Sequence, residues 1–187
     1  MAAPQQEFQQ QQPAAAAAGP INDADVAEWT ARFNDVLARP GEYINSRSPD
    51  SAQSWKNSFF EFWNPLDTCL LAWCVPCVVF GRTHHRLRKS PTLEGYEPIN
   101  TSCLLMCASG CVGLWWLPVA MQRADLRTKH NLQGSCLFDI ATSCCCGCCS
   151  IVQQDKEAAD RELGNQGAVQ QAYQAPGGMS YPGEQKQ

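Results

Sequence analysis

The sequence predicts a mainly α-helical, small, cysteine-rich, membrane-associated domain with one or two apolar helical hairpin segments, flanked by disordered tails. Three observations lead there. All 12 cysteines of the 187-residue chain fall between Cys69 and Cys149, a density foreign to an enzyme core built on aliphatic packing. Three apolar stretches, 66–80, 102–120 and 136–152, occupy the same window. Both ends are rich in Gln, Ala, Gly and Pro, and neither can bury enough apolar surface to offset the entropy of ordering it. The chain divides accordingly into a tail (1–22), an amphipathic helix with linker (23–54), the cysteine-rich membrane-associated domain (55–162) and a second tail (163–187).

The first 20 residues lack the basic start and Leu/Val-rich core of a secretory leader. Asp23-Ala24-Asp25 then opens a helical pattern in which Val26, Trp29, Phe33 and Val36/Leu37 recur at spacings of three and four, and Arg39-Pro40-Gly41 stops it. The simplest use of that face is packing on its own domain. Its polar side is not basic enough to favour a membrane-surface role.

The first apolar stretch has 15 residues including Asp67 and Pro76. At about 1.5 Å per residue it is too short for a hydrocarbon core of roughly 30 Å. The second has 19 residues without a formal charge and reaches about 28 Å, just enough to span. The third contains Asp139 and the run Cys144-Cys145-Cys146-Gly147-Cys148-Cys149. Basic clusters follow the first two stretches: Arg82, Arg86, Arg88 and Lys89, then Arg123, Arg127 and Lys129. One crossing at 102–120 would put them on opposite sides, against the positive-inside tendency. Two spans, or a re-entrant hairpin at 66–80, would keep both on one face. A buried core helix in a soluble domain is the competing reading.

A net charge of −4 argues against a nucleic-acid binder, which normally carries a basic excess. Enzyme classes also find no footing. The sequence has no glycine-rich phosphate loop, no Ser-His-Asp order that can be placed and no His-Glu-x-x-His. Asp67 and Asp139 read as capping or hydrogen-bonding residues at the ends of apolar stretches; hard-oxygen ligation or a transport path is the functional alternative.

The cysteines are expected to be reduced thiols acting as metal ligands, redox centres or acylation sites, with disulfides in an oxidising compartment as the alternative. Cys69-x4-Cys74-x2-Cys77 matches a plant-type iron–sulfur spacing, but its Leu/Val/Trp surroundings do not resemble a cluster loop. Cys103, Cys107 and Cys111 repeat every four residues and share one helical face, with Gly110 and Gly113 permitting close approach of another helix. The expected use is helix packing. Five thiols between Cys144 and Cys149 would repel as thiolates, so a soft ion such as Zn²⁺, Cu(I) or Cd²⁺ is their natural partner. His84 and His85 lie among arginines, where a basic strip on anionic lipid explains the segment as well as ligation does.

Phe62-Trp63-Asn64-Pro65-Leu66-Asp67-Thr68-Cys69-Leu70, running into Cys74-Val75-Pro76-Cys77-Val78-Val79-Phe80-Gly81-Arg82, is followed by Arg123-x3-Arg127-x2-His130-Asn131-Leu132-x-Gly134, the cysteine run and Gln153-Gln154-Asp155-Lys156-Glu157-Ala158. That order resembles the placenta-specific gene eight family of cysteine-rich proteins, which includes plant cadmium-resistance proteins and cell-number regulators, and looks most like its fungal branch. The resemblance covers roughly 55–161. The family's Cys-Pro-Cys core stands here as Val75-Pro76-Cys77, with Cys74 one position upstream. The resemblance implies a small plasma-membrane protein, often oligomeric, linked to heavy-metal resistance, to zinc, cadmium or calcium movement, or to organ and cell size.

The combined expectation is a non-enzymatic, homo-oligomeric membrane protein that binds zinc or cadmium and contributes to metal resistance or efflux. Cys69, Cys74 and Cys77 would meet Cys136, Cys144, Cys145, Cys146, Cys148 and Cys149 around the ion, with 102–120 as the anchor against membrane lipid. The alternative is a scaffold regulating cell growth, whose 26–37 helix and tails recruit partners while metal or disulfides serve structure.

Overall fold

The computed structural model describes residues 19–61 and 63–173, with side chains through 164. The tail at 1–18 and the last stretch, 174–187, lie outside the described residues. Among those described there are eight helices and no strand: α1 (Asp23–Ala38), α2 (Pro40–Ile44), α3 (Leu66–Cys74), α4 (Pro76–Arg88), α5 (Thr101–Cys111), α6 (Trp116–Lys129), α7 (Cys136–Cys145) and α8 (Gly147–Tyr173).

Helix α1 begins where its chemistry dictates. The Asn22 side chain accepts from the N–H groups of Ala24 (3.0 Å) and Asp25 (3.2 Å), and Asp23 and Asp25 place negative charge on the first turn. Trp29 is buried, its indole N–H donating to Ser102 Oγ at 3.0 Å and its ring stacked 5.0 Å from His84. The helix therefore packs on its own domain, as its periodicity predicts. Pro40 ends it and sits in the first turn of α2.

The rest is three helix–corner–helix units. Val75 separates α3 from α4, residues 112–115 separate α5 from α6, and Cys146 separates α7 from α8. This corrects the single 102–120 helix expected from hydropathy. That segment turns at Gly113, whose φ of +75° suits glycine, and Leu114 N–H closes the turn on Ser109 O at 2.8 Å. The 136–152 stretch is likewise two helices. No single described helix is long and apolar enough to cross a membrane; α3 and α4 pass by composition only as a pair, bent by 117°.

Helices α4 and α8 form the centre. Val79 and Phe80 meet Val119, Ile151 and Val152 in one core cluster, and Leu87, Leu126, Leu132 and Ala158 form a second under Trp55. The basic residues of α4 are drawn into ion pairs within the domain. Arg82 pairs with Asp155 at 2.7 Å, Arg88 reaches Glu28 (3.1 Å) and Asp125 (3.0 Å), and His84 and His85 are buried. Burial of Asp155 favours its pairing with Arg82, because a buried charge left without its partner costs several kcal/mol, about 3–5, whereas the Arg88 pairs lie nearer the surface.

The Gln153–Glu157 motif is a polar clamp on the segment before α3. Gln153 Nε2 donates to Asn57 O at 2.7 Å, and Glu157 accepts from the backbone N–H groups of Lys56 (3.1 Å) and Asn57 (2.9 Å) and from Arg161. Helix α8 then runs on to Tyr173, past residue 163, where composition predicts the tail to begin.

Burial pushes the Glu157 carboxyl up, but the Arg161, Lys56 and Asn57 hydrogen bonds outweigh it and hold it below its ordinary value. A depressed acid stabilises the fold fully above its unfolded pKa of about 4.3 and loses that contribution as pH falls through the lower folded value. Thermal stability should therefore drop below about pH 4. Glu157→Gln, compared with the parent by thermal melts from pH 7 to pH 3, should flatten the acid side of the curve; an unchanged slope would refute the assignment.

Candidate metal centre

Helix α5 is held in register on α4 by one asparagine. Asn100 caps α5 by accepting from Cys103 N–H at 3.0 Å, and its Nδ2 donates to Glu97 O at 2.8 Å. The same side chain lies on Gly81 of α4: a Cβ there would fall 2.7 Å from Asn100 Oδ1. Glycine is required for this close approach. Gly81→Ala should cost about 1–3 kcal/mol, because Asn100 can yield only by giving up both bonds. A calorimetric midpoint within a degree of the parent would contradict this.

That register brings sulfur to sulfur. Cys77, on the first turn of α4, faces Cys103 and Cys107, one turn apart on α5, and the three Sγ atoms lie within 4.8 Å of one another. A tetrahedral ion with Zn–S bonds of about 2.3 Å needs sulfurs about 3.8 Å apart, so the set requires only a small closure. Three thiolates leave one position for a fourth ligand or water. A cavity of about 510 Å³ opens beside them, lined by Cys74, Met106, Cys148, Trp115 and Gly147 among others; its sulfur-rich, apolar wall suits a soft cation and offers nothing to a hard one.

Burial raises the thiols of Cys103 and Cys107 above the ordinary range. The free site thus holds neutral thiols at pH 7, and an ion that binds must displace their protons. Mutual repulsion of thiolates, expected for the cysteine run, does not arise in this state.

The sequence-predicted ligands are distributed differently from the expectation. Only Cys77 belongs to the three-sulfur group. Cys74 and Cys148 line the adjoining cavity, and Cys69 lies near Cys148, whose thiol is raised by burial and then by that neighbour. Cys144 and Cys145 are exposed at the end of α7. Cys136 lines a separate cavity with Arg32 and Tyr43. Cys146 and Cys149 are joined as a disulfide, which departs from the expectation that the whole set is reduced. The expected use of Cys103 and Cys107 is helix packing. They do lie at a helix–helix contact, and the opposing helix supplies the third sulfur. Their spacing of four on one face was the available signal; the partner on α4 was not visible in it.

Asp139 is no candidate oxygen ligand. It is buried, with Arg123 Nε 3.2 Å from one carboxylate oxygen and Arg127 Nε 3.0 Å from the other.

The fold and site define a helical, cysteine-rich domain with a soft-ligand cluster between two of its helices. The chain belongs to the PLAC8 family, whose profile matches residues 55–157. It is 31% identical over 93 residues to Cell number regulator 9 of Zea mays, covering half of each chain. It is 24% identical over 113 residues to Protein PLANT CADMIUM RESISTANCE 2 of Arabidopsis thaliana, covering 60% of this chain and 72% of that one. An uncharacterized protein of Neurospora crassa is 28% identical over 132 residues, covering 65% of this chain and only 18% of its own length. The chain thus spans half or less of two of these relatives. No solved structure matches.

Proposed function

We propose that this protein is a membrane-associated, non-enzymatic binder of a soft divalent ion, zinc or cadmium, that contributes to metal resistance. The observation that carries the reading is the convergence of Cys77, Cys103 and Cys107 within 4.8 Å from two helices. Relatives named for cadmium resistance support the ion class. The plasma membrane is the proposed location, and a homo-oligomer the proposed form if ions are moved across it. One bent apolar pair per chain cannot enclose a polar path through lipid.

The test is elemental analysis of the full chain, purified in detergent without chelator, together with a free-thiol count. About one zinc or cadmium per chain is expected. A fully folded, ion-free protein that does not take up added cadmium would overturn the reading. Growth of host cells on cadmium then separates two uses of the site: export lowers internal cadmium, whereas chelation leaves it equal or higher.

A further inference from the structure

The three corners of the fold come together at one end. The cavity beside the thiol cluster is walled by all three: Cys74 to Cys77 from the first, Gly110 and Trp115 from the second, Gly147 and Cys148 from the third. Corners two and three touch, since a Cβ on Gly147 would fall 2.0 Å from the Trp115 ring. The three corners themselves carry no charge. Residues 68–81, 102–122 and 140–154 contain no Asp, Glu, Lys or Arg, while the ion pairs tying α1, α4 and α6 together lie toward the other ends of those helices. Large apolar side chains nevertheless stand in solvent there: Trp73 is 75% exposed, Val112 69% and Leu114 45%.

We infer that this pole is a bilayer-docking surface, by which the protein enters one leaflet with its three helix corners and does not cross. The inference rests on the membrane half of the function proposed above and specifies how it is met. Charge segregation identifies the occupant. A protein partner is normally engaged through an apolar centre with a polar, charged rim, whereas three adjoining uncharged corners match a medium that penalises every charge and asks only for dehydration. The tight turns keep backbone groups paired internally, as in Leu114 N–H to Ser109 O at 2.8 Å and Val75 N–H to Leu71 O at 2.8 Å, which entry into lipid requires. Indole at the corner suits the headgroup boundary.

The experiment is flotation of the full chain with phosphatidylcholine vesicles after detergent removal, comparing the parent with Trp73→Asp/Val112→Asp/Leu114→Asp. Burying each of these side chains favours lipid by about tenfold or more, so the triple variant should partition at least about 100-fold more weakly. The control Leu37→Asp, on α1 away from the pole, should float like the parent. High salt and added phosphatidylserine should change little, because no basic patch is involved. Bound metal is measured on every variant, since none of the four residues lines the sulfur cavity. Should the triple variant lose its helical signal, Trp73→Ala/Leu114→Ala reads the same partitioning with less disturbance. A parent that floats together with corner variants that float equally well would overturn the docking pole and leave membrane association standing. A parent that does not float would overturn both.

Discussion

Replacing Cys103 and Cys107 together with serine should abolish stable metal binding. A structural zinc site of four ligands is worth about 10–16 kcal/mol in all, so each sulfur accounts for about 3 kcal/mol, or roughly 100-fold in affinity. Losing two leaves Cys77 as the sole remaining member of the cluster and should weaken binding by about 10⁴-fold. Both variants remain small, and serine keeps the helical face, so the fold should persist. Cys144→Ser/Cys145→Ser is the contrast: those thiols are exposed and outside the cluster, and bound metal should be unchanged. Equilibrium dialysis against cadmium reads both. Undiminished binding in the Cys103/Cys107 variant, or its loss in the Cys144/Cys145 variant, would move the site to the cysteine run.

Asp139→Ala should be the most damaging single substitution in the domain. Asp139 is 1% exposed and is shared by two guanidiniums, Arg123 (1%) and Arg127 (3%), one on each carboxylate oxygen. Arg123 also donates to Gln153 at 2.7 Å and lies 4.1 Å over the Trp55 ring. Burial lowers its pKa to about 10, so it stays charged at pH 7. Arg127 donates to Ser48 at 3.0 Å and to Ser46 at 3.4 Å. Removing the carboxylate takes away the ion-pair partner that two buried cations share, costing about 3–5 kcal/mol. A domain whose whole stability is about 5–15 kcal/mol would be brought close to unfolding. Asp139→Asn keeps an acceptor and the shape and should cost less. A denaturant midpoint for Asp139→Ala indistinguishable from the parent would show that the triad is solvated.

Much of the helical content was legible along the chain. The α1 stripe from Val26 to Leu37 and its stop at Arg39-Pro40 needed only periodicity and a proline. The family membership was legible in the order of the Trp63-Asn64-Pro65, Pro76-Cys77 and Gln153–Glu157 motifs. The breaks inside 102–120 and 136–152 were not, because hydropathy averages over a window and a glycine turn removes none of it. Gly113 is the local clue, but a glycine in an apolar stretch serves helix packing equally well. The destination of the basic residues was equally hidden. Arg82 and Asp155 are 73 positions apart, and local charge patterning registers only near neighbours.

By itself the sequence determined helical class, cysteine richness and family, since those follow from composition, period and motif order within one segment at a time. Only the tertiary structure decided which sulfurs meet, which arginines are buried and where the three uncharged corners lie. Each of those depends on the packing angle and register between helices distant in the chain. Gly81 against Asn100 fixes that register for the thiol cluster, and no periodicity in either helix specifies it.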